Sequence, residues 1–200
     1  MQRIDFGKLG SCPHFIGAWK IESQVCDKLV SHFETNKNKQ KPGVVSGGLN
    51  LSAKNSLDIS IRPNDLNLPE NSVFNEYFDS LNKCYQDYLS QWPFLSEFGG
   101  RLEIGKFNMQ RYEVGQHFHK VHAERTSLST LHRVLVWMTY LNDVDKGGST
   151  SFPHYNLTVK PEKSLTLIWP SEWTHSHNGN SVEVGSKYII TGWMHFPTKS

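Results

Sequence analysis

The sequence predicts a mainly β fold, an antiparallel sandwich or barrel with flanking helices against one outer face. A series of short strand patterns separated by turn signals follows residue 102, as is typical of such folds. Before them, two segments place apolar residues at helical spacing. With 200 residues, 37% of them hydrophobic, the chain can bury a core without disulfides. We expect one domain over residues 1–200, with helical support and outer strands in 1–100 and the β core in 101–200.

Two helices are predicted in the first half of the chain, over residues 22–34 and 72–91. In the first, Val25, Leu29 and Phe33 recur at helical spacing. The second has a longer apolar stripe, which consists of Phe74, Tyr77, Phe78, Leu81, Cys84, Tyr85 and Tyr88. A stripe of this kind is more typical of a helix face packed on a sheet than of a ligand-binding surface.

A loop and a strand are predicted between the two helices. Residues 36–55 contain several Gly and Pro and few candidates for burial, which predicts a long loop. Residues 56–62 alternate Leu57, Ile59 and Ile61 with polar residues, which predicts a half-buried strand. The loop is long enough to be a lid over a pocket.

The second half of the chain reads as strands and turns. The predicted strands are residues 106–112, 117–122, 133–141, 157–159, 164–169, 173–177 and 187–195. Turn signals separate several of them, at residues 145–148, 161–163 and 178–180. This spacing of short strands is the reason for the sandwich or barrel prediction.

Charge and cysteine content exclude several classes of protein. The net charge of +2 gives no argument for a nucleic-acid or membrane surface. Cys12, Cys26 and Cys84 are odd in number and far apart, so they form neither a disulfide framework nor a zinc spacing. No signal peptide and no apolar run long enough to span a membrane is visible. We expect a cytoplasmic protein.

The histidines are concentrated in the second half, since eight of the ten follow residue 116. Non-haem iron(II) prefers two imidazoles and one carboxylate on one face, which leaves positions open for oxygen and substrate. His122 and Glu124 have the spacing that places two side chains on one side of an extended strand. A third ligand must come from a neighbouring strand, and His175 and His177 are the candidates.

Other motifs surround these histidines in a definite order. Tyr112 stands ten residues before His122. Further along follow Tyr140-Leu141-Asn142, then Gly147-Gly148-Ser149-Thr150-Ser151-Phe152-Pro153, and after His177 come Lys187-Tyr188 and Thr191-Gly192-Trp193. Residues 110–193 therefore resemble the catalytic core of the prolyl 4-hydroxylase-like branch of the iron(II)/2-oxoglutarate oxygenases. The resemblance implies a double-stranded β-helix, or jelly roll, as the catalytic core.

The resemblance also implies the metal ligands and the cofactors. His122, Glu124 and His177 would hold iron(II), with 2-oxoglutarate and O2 as cosubstrates and ascorbate as a reductant. In this family a Lys or Arg follows the distal His by nine or ten residues, and Lys187 lies ten after His177 but twelve after His175. This spacing favours His177 and leaves His175 as a pocket residue on the same strand face. Glu124 departs from the family, which usually has Asp there.

Five residues are predicted to bind the cosubstrate. Lys187 would pair with the distal carboxylate of 2-oxoglutarate, because a buried ammonium needs a compensating charge. If residues 187–193 form a strand, Thr191 and Trp193 share its face with Lys187, so Thr191 could bond the same carboxylate and Trp193 could wall the pocket. By resemblance, Tyr140 contacts 2-oxoglutarate and Tyr112 lies near the metal. Both tyrosines could instead be core residues with satisfied hydroxyls.

The implied activity is hydroxylation of an unactivated C–H bond, above all on a peptidyl prolyl residue, with release of succinate and CO2. One alternative is an oxygenase of a small metabolite or a nucleobase. Another is a non-catalytic jelly roll that keeps a metal site, which Glu124 leaves open. We expect a peptide or small-molecule partner and no membrane, and nucleic acid is disfavoured by the charge. The oligomeric state is not indicated.

Overall fold

The computed structural model describes residues 1–6, 13–45, 47–98 and 101–197. It contains three α-helices in the described residues: α1 (Ser23–Thr35), α2 (Val73–Gln91) and α3 (Phe94–Phe98). The two predicted helices are confirmed to within one residue at each end. Among the described residues, no helix combines the length and apolar character that crossing a bilayer requires.

Fifteen strands are present in the described residues. In chain order they are β1 (Gln2–Ile4), β2 (Gly17–Lys20), β3 (Lys41–Pro42), β4 (Leu57–Ile61), β5 (Glu103–Ile104), β6 (Phe107–Tyr112), β7 (Phe118–His122), β8 (Arg133–Tyr140), β9 (Lys146–Gly147), β10 (Thr150–Phe152), β11 (Leu157–Val159), β12 (Leu165–Pro170), β13 (His177–Gly179), β14 (Val182–Val184) and β15 (Lys187–His195). The mainly β prediction is confirmed.

Two sheets organise the fold. The larger has nine strands in the order β1-β2-β12-β8-β15-β6-β4-β3, with β5 paired to β15. The smaller has four, in the order β11-β10-β13-β7, and β14 and β9 form a separate two-stranded ribbon. All strand pairs in these sheets are antiparallel. From β6 onward the chain passes repeatedly between the larger sheet, which holds β6, β8, β12 and β15, and the smaller sheet or the ribbon, so this part of the chain wraps around one interior.

Two apolar cores lie on opposite faces of the larger sheet. The helices supply one, in which Leu29, Phe33 and Tyr77 are buried with strand residues such as Trp137 and Ile190. The other is rich in residues from both sheets, and its members include Tyr112, Met138, Phe152, Leu167 and Trp169. The first confirms that the helices cover one outer face of the sheet, and the second places the interior of the sandwich between the two sheets.

Two of the three cysteines lie in the core beneath the helices. Cys26 on α1 and Cys84 on α2 are buried, free thiols in the helix core. Cys12 lies outside the described residues. Burial raises the pKa of Cys26 to about 11, so its thiol stays protonated and behaves as a small apolar group.

The prediction of a strand over residues 173–177 is wrong. Trp173–His175 forms a single 3-10 turn, in which the N–H of His175 donates to Glu172 and that of Ser176 donates to Trp173. The chain must cross here from β12 in the larger sheet to β13 in the smaller one, and the turn makes that crossing. The predicted turn at 178–180 is also wrong in part, because β13 continues to Gly179 and pairs with β10.

Candidate metal centre

Three side chains converge at the end of the smaller sheet. His122 is the last residue of β7 and His177 is the first of β13, and the register places them directly opposite each other. Glu124 completes the group, and ligand atoms of the three residues all lie within 4.8 Å of one another. Glu124 Oε1 is 3.5 Å from His122 Nε2 and 3.7 Å from His177 Nε2. The two histidines are thus a cross-strand pair, as the sequence predicted.

Backbone carbonyls orient both imidazole rings. His122 Nδ1 lies 2.8 Å from the carbonyl oxygen of Lys120, and His177 Nδ1 lies 3.0 Å from that of His175. A carbonyl can only accept a hydrogen bond, so each Nδ1 carries the proton and donates it. In the neutral ring, Nε2 then presents its lone pair toward Glu124. This is the arrangement that fixes the tautomer of a metal-ligating histidine.

Glu124 reaches the site from a loop rather than from a strand. β7 ends at His122, and the N–H of Glu124 donates to the carbonyl of Ser171, which directly follows β12. The prediction that Glu124 continues an extended strand from His122 is therefore wrong, although it does meet the two histidines. The longer glutamate side chain suits a backbone that has already left the sheet.

The second carboxylate oxygen of Glu124 is held by two donors. Trp193 Nε1 donates to Glu124 Oε2 over 2.9 Å, and Arg133 Nη1 donates to the same atom over 3.2 Å. The Arg133 guanidinium carbon also lies 3.7 Å from the centre of the Trp193 ring, so the two donors stack on each other. Oε2 is thereby occupied, and Oε1 is left as the atom that faces the histidines.

The protonation states suit metal binding at neutral pH. Burial and the neighbouring His122 lower the pKa of His177 to about 4, so its ring is neutral. Burial alone would raise the pKa of Glu124, but contacts with His122, His177 and Arg133 outweigh it and lower the pKa to about 2. Glu124 is therefore ionised while His177 is neutral.

The donor set fits a divalent first-row metal such as iron(II). Two imidazole nitrogens and one carboxylate oxygen face a common point, and the remaining directions open into a cleft. The three ligands come from one end of the sandwich, so they occupy one side of that point.

His175 points away from this group. Its Nε2 lies 3.1 Å from the Tyr155 hydroxyl and 2.9 Å from the carbonyl oxygen of His14, and its Nδ1 lies 3.0 Å from the Thr174 hydroxyl. His175 is buried, and it sits in the 3-10 turn rather than on the strand that carries His177. The expectation that it shares a strand face with His177 is wrong. Its main link to the centre is the carbonyl that orients the His177 ring.

A cleft of about 1220 Å³ opens from the metal ligands between the two sheets. Its lining includes His122, Glu124, His177 and four of the five predicted cosubstrate residues: Tyr112, Lys187, Thr191 and Trp193. Tyr140 is fully buried outside this lining, and its hydroxyl donates to Thr150 Oγ1 over 2.6 Å. Thr150 itself lines the cleft, so the Thr150 hydroxyl links Tyr140 to the cavity.

Lys187 is a buried ammonium in this cleft. It is only 3% exposed, its Nζ donates to the carbonyl of Gly148 over 2.9 Å, and it lies 4.5 Å from the centre of the Tyr112 ring. Within the described residues, no carboxylate lies within salt-bridge distance of it. Burial lowers its pKa to about 7. A cation with this burial lacks the counter-charge that normally compensates lost hydration.

Thr191 and Trp193 follow Lys187 on β15, on the predicted shared face. The Thr191 hydroxyl donates to the carbonyl of Trp137 over 2.9 Å. Trp193 lines the cleft. It also orients Glu124, a role that the sequence did not indicate. Contact of Tyr112, Tyr140, Thr191 and Trp193 with a cosubstrate stays a prediction.

A polar network that the sequence did not reveal also lines the cleft. Lys54 Nζ donates to Asp58 Oδ2 over 2.5 Å, and Ser56 donates to the other oxygen of that carboxylate over 2.7 Å. Gln110 bridges Asp58 to the Tyr112 hydroxyl, with distances of 3.4 and 2.6 Å. Lys54 falls in the predicted loop, where no periodicity marks burial. Arg133, the other residue of the site that the sequence did not indicate, is the first residue of β8 and belongs to no motif.

Comparison with known proteins identifies the part of the chain that contains the candidate metal ligands and Lys187. Residues 107–195 match the 2OG-Fe(II) oxygenase superfamily. Prolyl 4-hydroxylase subunit alpha-1 of Gallus gallus is 33% identical over 75 residues, which are 34% of this chain and 14% of that protein. The chain thus matches only a small part of the length of such relatives.

Solved structures share the fold over most of the chain. A viral collagen prolyl hydroxylase from Paramecium Bursaria Chlorella virus-1, in its 2OG complex, gives a TM-score of 0.66 at 18% identity and covers 92% of this chain and 97% of its own. A prolyl hydroxylase from Trichoplax adhaerens, in complex with a hypoxia inducible factor peptide fragment, gives 0.69 at 14% identity, with 91% and 84% covered. The jelly-roll prediction is confirmed.

Proposed function

We propose, from the premise that the chain belongs to the 2OG-Fe(II) oxygenase superfamily, that it hydroxylates an unactivated C–H bond of a peptidyl residue, prolyl above all. The observation that carries the proposal is the pairing of two features in one cleft. A His-Glu-His group faces the cleft, and a buried ammonium without a carboxylate partner among the described residues lies in the same lining. The first suits iron(II), and the second suits a dicarboxylate cosubstrate.

His122, Glu124 and His177 would hold the metal at one side of the cleft. When bound, iron(II) supplies the oxidative chemistry that couples decarboxylation of 2-oxoglutarate, to succinate and CO2, with hydroxylation of the substrate. The carbonyls of Lys120 and His175 keep the two rings turned toward the site. Trp193 and Arg133 keep one oxygen of Glu124 engaged, so that the other can bind the metal.

Lys187 would receive the distal carboxylate of 2-oxoglutarate. Its ammonium is buried among Tyr112, Gly148 and Gly179, which exclude water and strengthen an ion pair. The cosubstrate would then be oriented with its other end toward the metal ligands, which line the same cleft. The Thr150 hydroxyl, held by Tyr140, is a further polar group of the cleft lining.

A prolyl substrate is supported first by the relatives and second by aromatic rings in the cleft. The matched proteins are prolyl hydroxylases, and one of them is a complex with a peptide fragment. A proline-rich segment favours an aromatic-lined groove. Phe118, which stacks on the His122 ring, and Trp193, which donates to Glu124, supply two such rings beside the metal ligands. Trp173, by contrast, is exposed and lies outside the lining.

The test is succinate release from 2-oxoglutarate with iron(II) and ascorbate, with and without proline-containing peptides. We expect turnover that depends on iron and rises with a peptide substrate, and loss of turnover in Lys187→Met but not in Lys83→Met, an exposed helix position outside the cleft. Peptide-independent turnover that a small metabolite or nucleobase stimulates would favour the alternative oxygenase. If neither iron nor 2-oxoglutarate raises the melting temperature, the oxygenase assignment is wrong.

A further inference from the structure

Positive charge is concentrated around the cleft. The residues that line it include eight Lys or Arg, which are Lys39, Lys41, Lys54, Arg62, Lys106, Lys120, Arg133 and Lys187. They include three carboxylates, which are Asp58, Asp65 and Glu124. The lining therefore has an excess of five positive charges, whereas the whole chain has an excess of only two. The rest of the chain is correspondingly acidic.

Four of these cations are exposed and form no salt bridge among the described residues. Lys54 pairs with Asp58, Arg133 pairs with Glu124, and Lys187 lies at the proposed cosubstrate position. Lys41, Arg62, Lys106 and Lys120 are exposed, and none has a carboxylate within salt-bridge distance among the described residues. Asp65, the remaining carboxylate of the lining, accepts a hydrogen bond from the backbone N–H of Arg62.

The sheet register places two of these cations side by side at one end of the cleft. Ile61 of β4 pairs with Phe107 of β6, so Arg62 and Lys106 flank that pair at the same end of the two antiparallel strands. Lys187 pairs with Tyr112 at the opposite end of β6. The cleft therefore has an inner cationic end at Lys187 and an outer one at Arg62 and Lys106.

A smaller hollow of about 230 Å³ adjoins the outer end. It shares Lys106, Asn108, Arg133 and Trp193 with the cleft, and its other lining residues are Gly105, His132 and His195. The described residues that line the hollow include one lysine, one arginine and two histidines, and they include no carboxylate. Because Arg133 and Trp193 also contact Glu124, the hollow is close to the metal ligands.

We propose that the cleft selects an acidic peptide, whose Asp or Glu side chain near the target residue is received by Arg62 and Lys106 at the outer end. This inference rests on the proposed function, since it names the substrate class of the same site. An extended peptide advances roughly 3.3 Å per residue, so the acidic residue would lie within a few residues of the one presented to the metal. Lys41 and Lys120 would add longer-range attraction from both walls.

A nucleic acid is the other polyanion that such a rim could attract. Single strands are usually held by bases stacked on exposed aromatic rings. Among the described residues that line the outer end, Trp193 is the only large aromatic ring, and Arg133 already covers one of its faces. The basic end therefore offers charge without a stacking surface, which favours carboxylate side chains.

The test compares matched peptides that share a central proline and differ only in acidic, neutral or basic flanking residues. Binding is measured by fluorescence anisotropy with Mn(II) and a non-reactive 2-oxoglutarate analogue present, so that it is independent of turnover. We expect the acidic peptide to bind most tightly, and Arg62→Glu/Lys106→Glu to weaken it roughly tenfold or more. Lys83→Glu/Lys160→Glu, which makes the same change of net charge at exposed positions outside the lining, should leave it unchanged.

The outcomes separate the two proposals. Acidic-peptide binding that the Arg62/Lys106 variant abolishes, without hydroxylation of proline, would support the charge selectivity and refute the prolyl target. Equal binding of the three peptides, or equal loss in the control variant, would overturn the acidic-peptide proposal even if proline is hydroxylated. Stronger binding of a single-stranded oligonucleotide that depends on Arg62 and Lys106 would also overturn it. The single variants Arg62→Gln and Lys106→Gln check the result if the double variant is unstable.

Discussion

The indole Nε1 of Trp193 donates a 2.9 Å hydrogen bond to Oε2 of Glu124. The other oxygen of that carboxylate is the one that faces His122 and His177. One oxygen of Glu124 thus accepts a hydrogen bond, and the other is left to bind a metal. Because such partners of a metal ligand fix its orientation, their removal commonly weakens metal binding about 10- to 100-fold.

Trp193→Phe is expected to weaken metal binding by about tenfold or more. Phenylalanine keeps a ring on which Arg133 can stack but lacks the N–H donor, so Glu124 loses one of its two anchors. Isothermal titration with Mn(II) measures the affinity without requiring turnover. An affinity equal to that of the wild type would show that the hydrogen bond does not position Glu124.

Glu124→Asp is expected to weaken metal binding in this protein, although the family that the sequence resembles usually has Asp at this position. A carboxylate one methylene shorter cannot reach the metal and keep its bonds to Trp193 and Arg133. Combining the change with Trp193→Phe forms a double-mutant cycle in Mn(II) affinity. We expect the tryptophan change to cost much less in the Asp background, and full additivity would contradict the account.

His177→Ala is expected to abolish metal binding, whereas His175→Ala should retain it. The His177 ring faces Glu124, while the His175 ring faces Tyr155 and the carbonyl of His14. Mn(II) titration of the two variants gives the comparison, with circular dichroism to confirm folding. The reverse pattern would assign the third ligand to His175.

Lys187 gives the cosubstrate affinity a defined pH dependence. Burial lowers the pKa of Lys187 to about 7, from an ordinary value of 10.5. An anion binds its protonated form, so above about pH 7 binding must also take up a proton. The affinity for 2-oxoglutarate is then expected to fall as pH rises, by up to about tenfold per pH unit. Titration of the Mn(II)-loaded protein at several pH values measures this fall.

Lys187→Met is the control for that prediction. Methionine carries no charge at any pH, so the variant should bind 2-oxoglutarate weakly and with no comparable fall above neutral pH. A wild-type affinity that stays constant with pH, or a variant that binds as tightly, would show that Lys187 does not pair with the cosubstrate.

The sequence predicted the long elements best. The predicted strand over residues 187–195 has the same bounds as β15. The α2 stripe likewise identified a helix with only one residue of error. His122 was found from its spacing to Glu124, and His177 was chosen over His175 because the family resemblance implies a Lys about ten residues after the distal His.

The sequence predicted least where tertiary contacts decide the structure. Residues 173–177 look like a strand, but the crossing between sheets imposes a 3-10 turn there. Arg133 pairs with Glu124, which lies in a loop nine residues earlier, and Lys54 itself lies in the irregular segment before β4, so neither belongs to a recognisable motif. The basic outer end depends on the register of β4 against β6, which composition does not reveal.

A crystal structure with Mn(II) and a non-reactive 2-oxoglutarate analogue tests the central claim most directly. We predict the metal at roughly 2.0–2.3 Å from His122 Nε2, Glu124 Oε1 and His177 Nε2, by analogy with typical His and carboxylate distances to zinc. Lys187 Nζ should then contact the distal carboxylate of the analogue. A metal bound through His175, or an analogue whose carboxylate lies away from Lys187, would contradict the account.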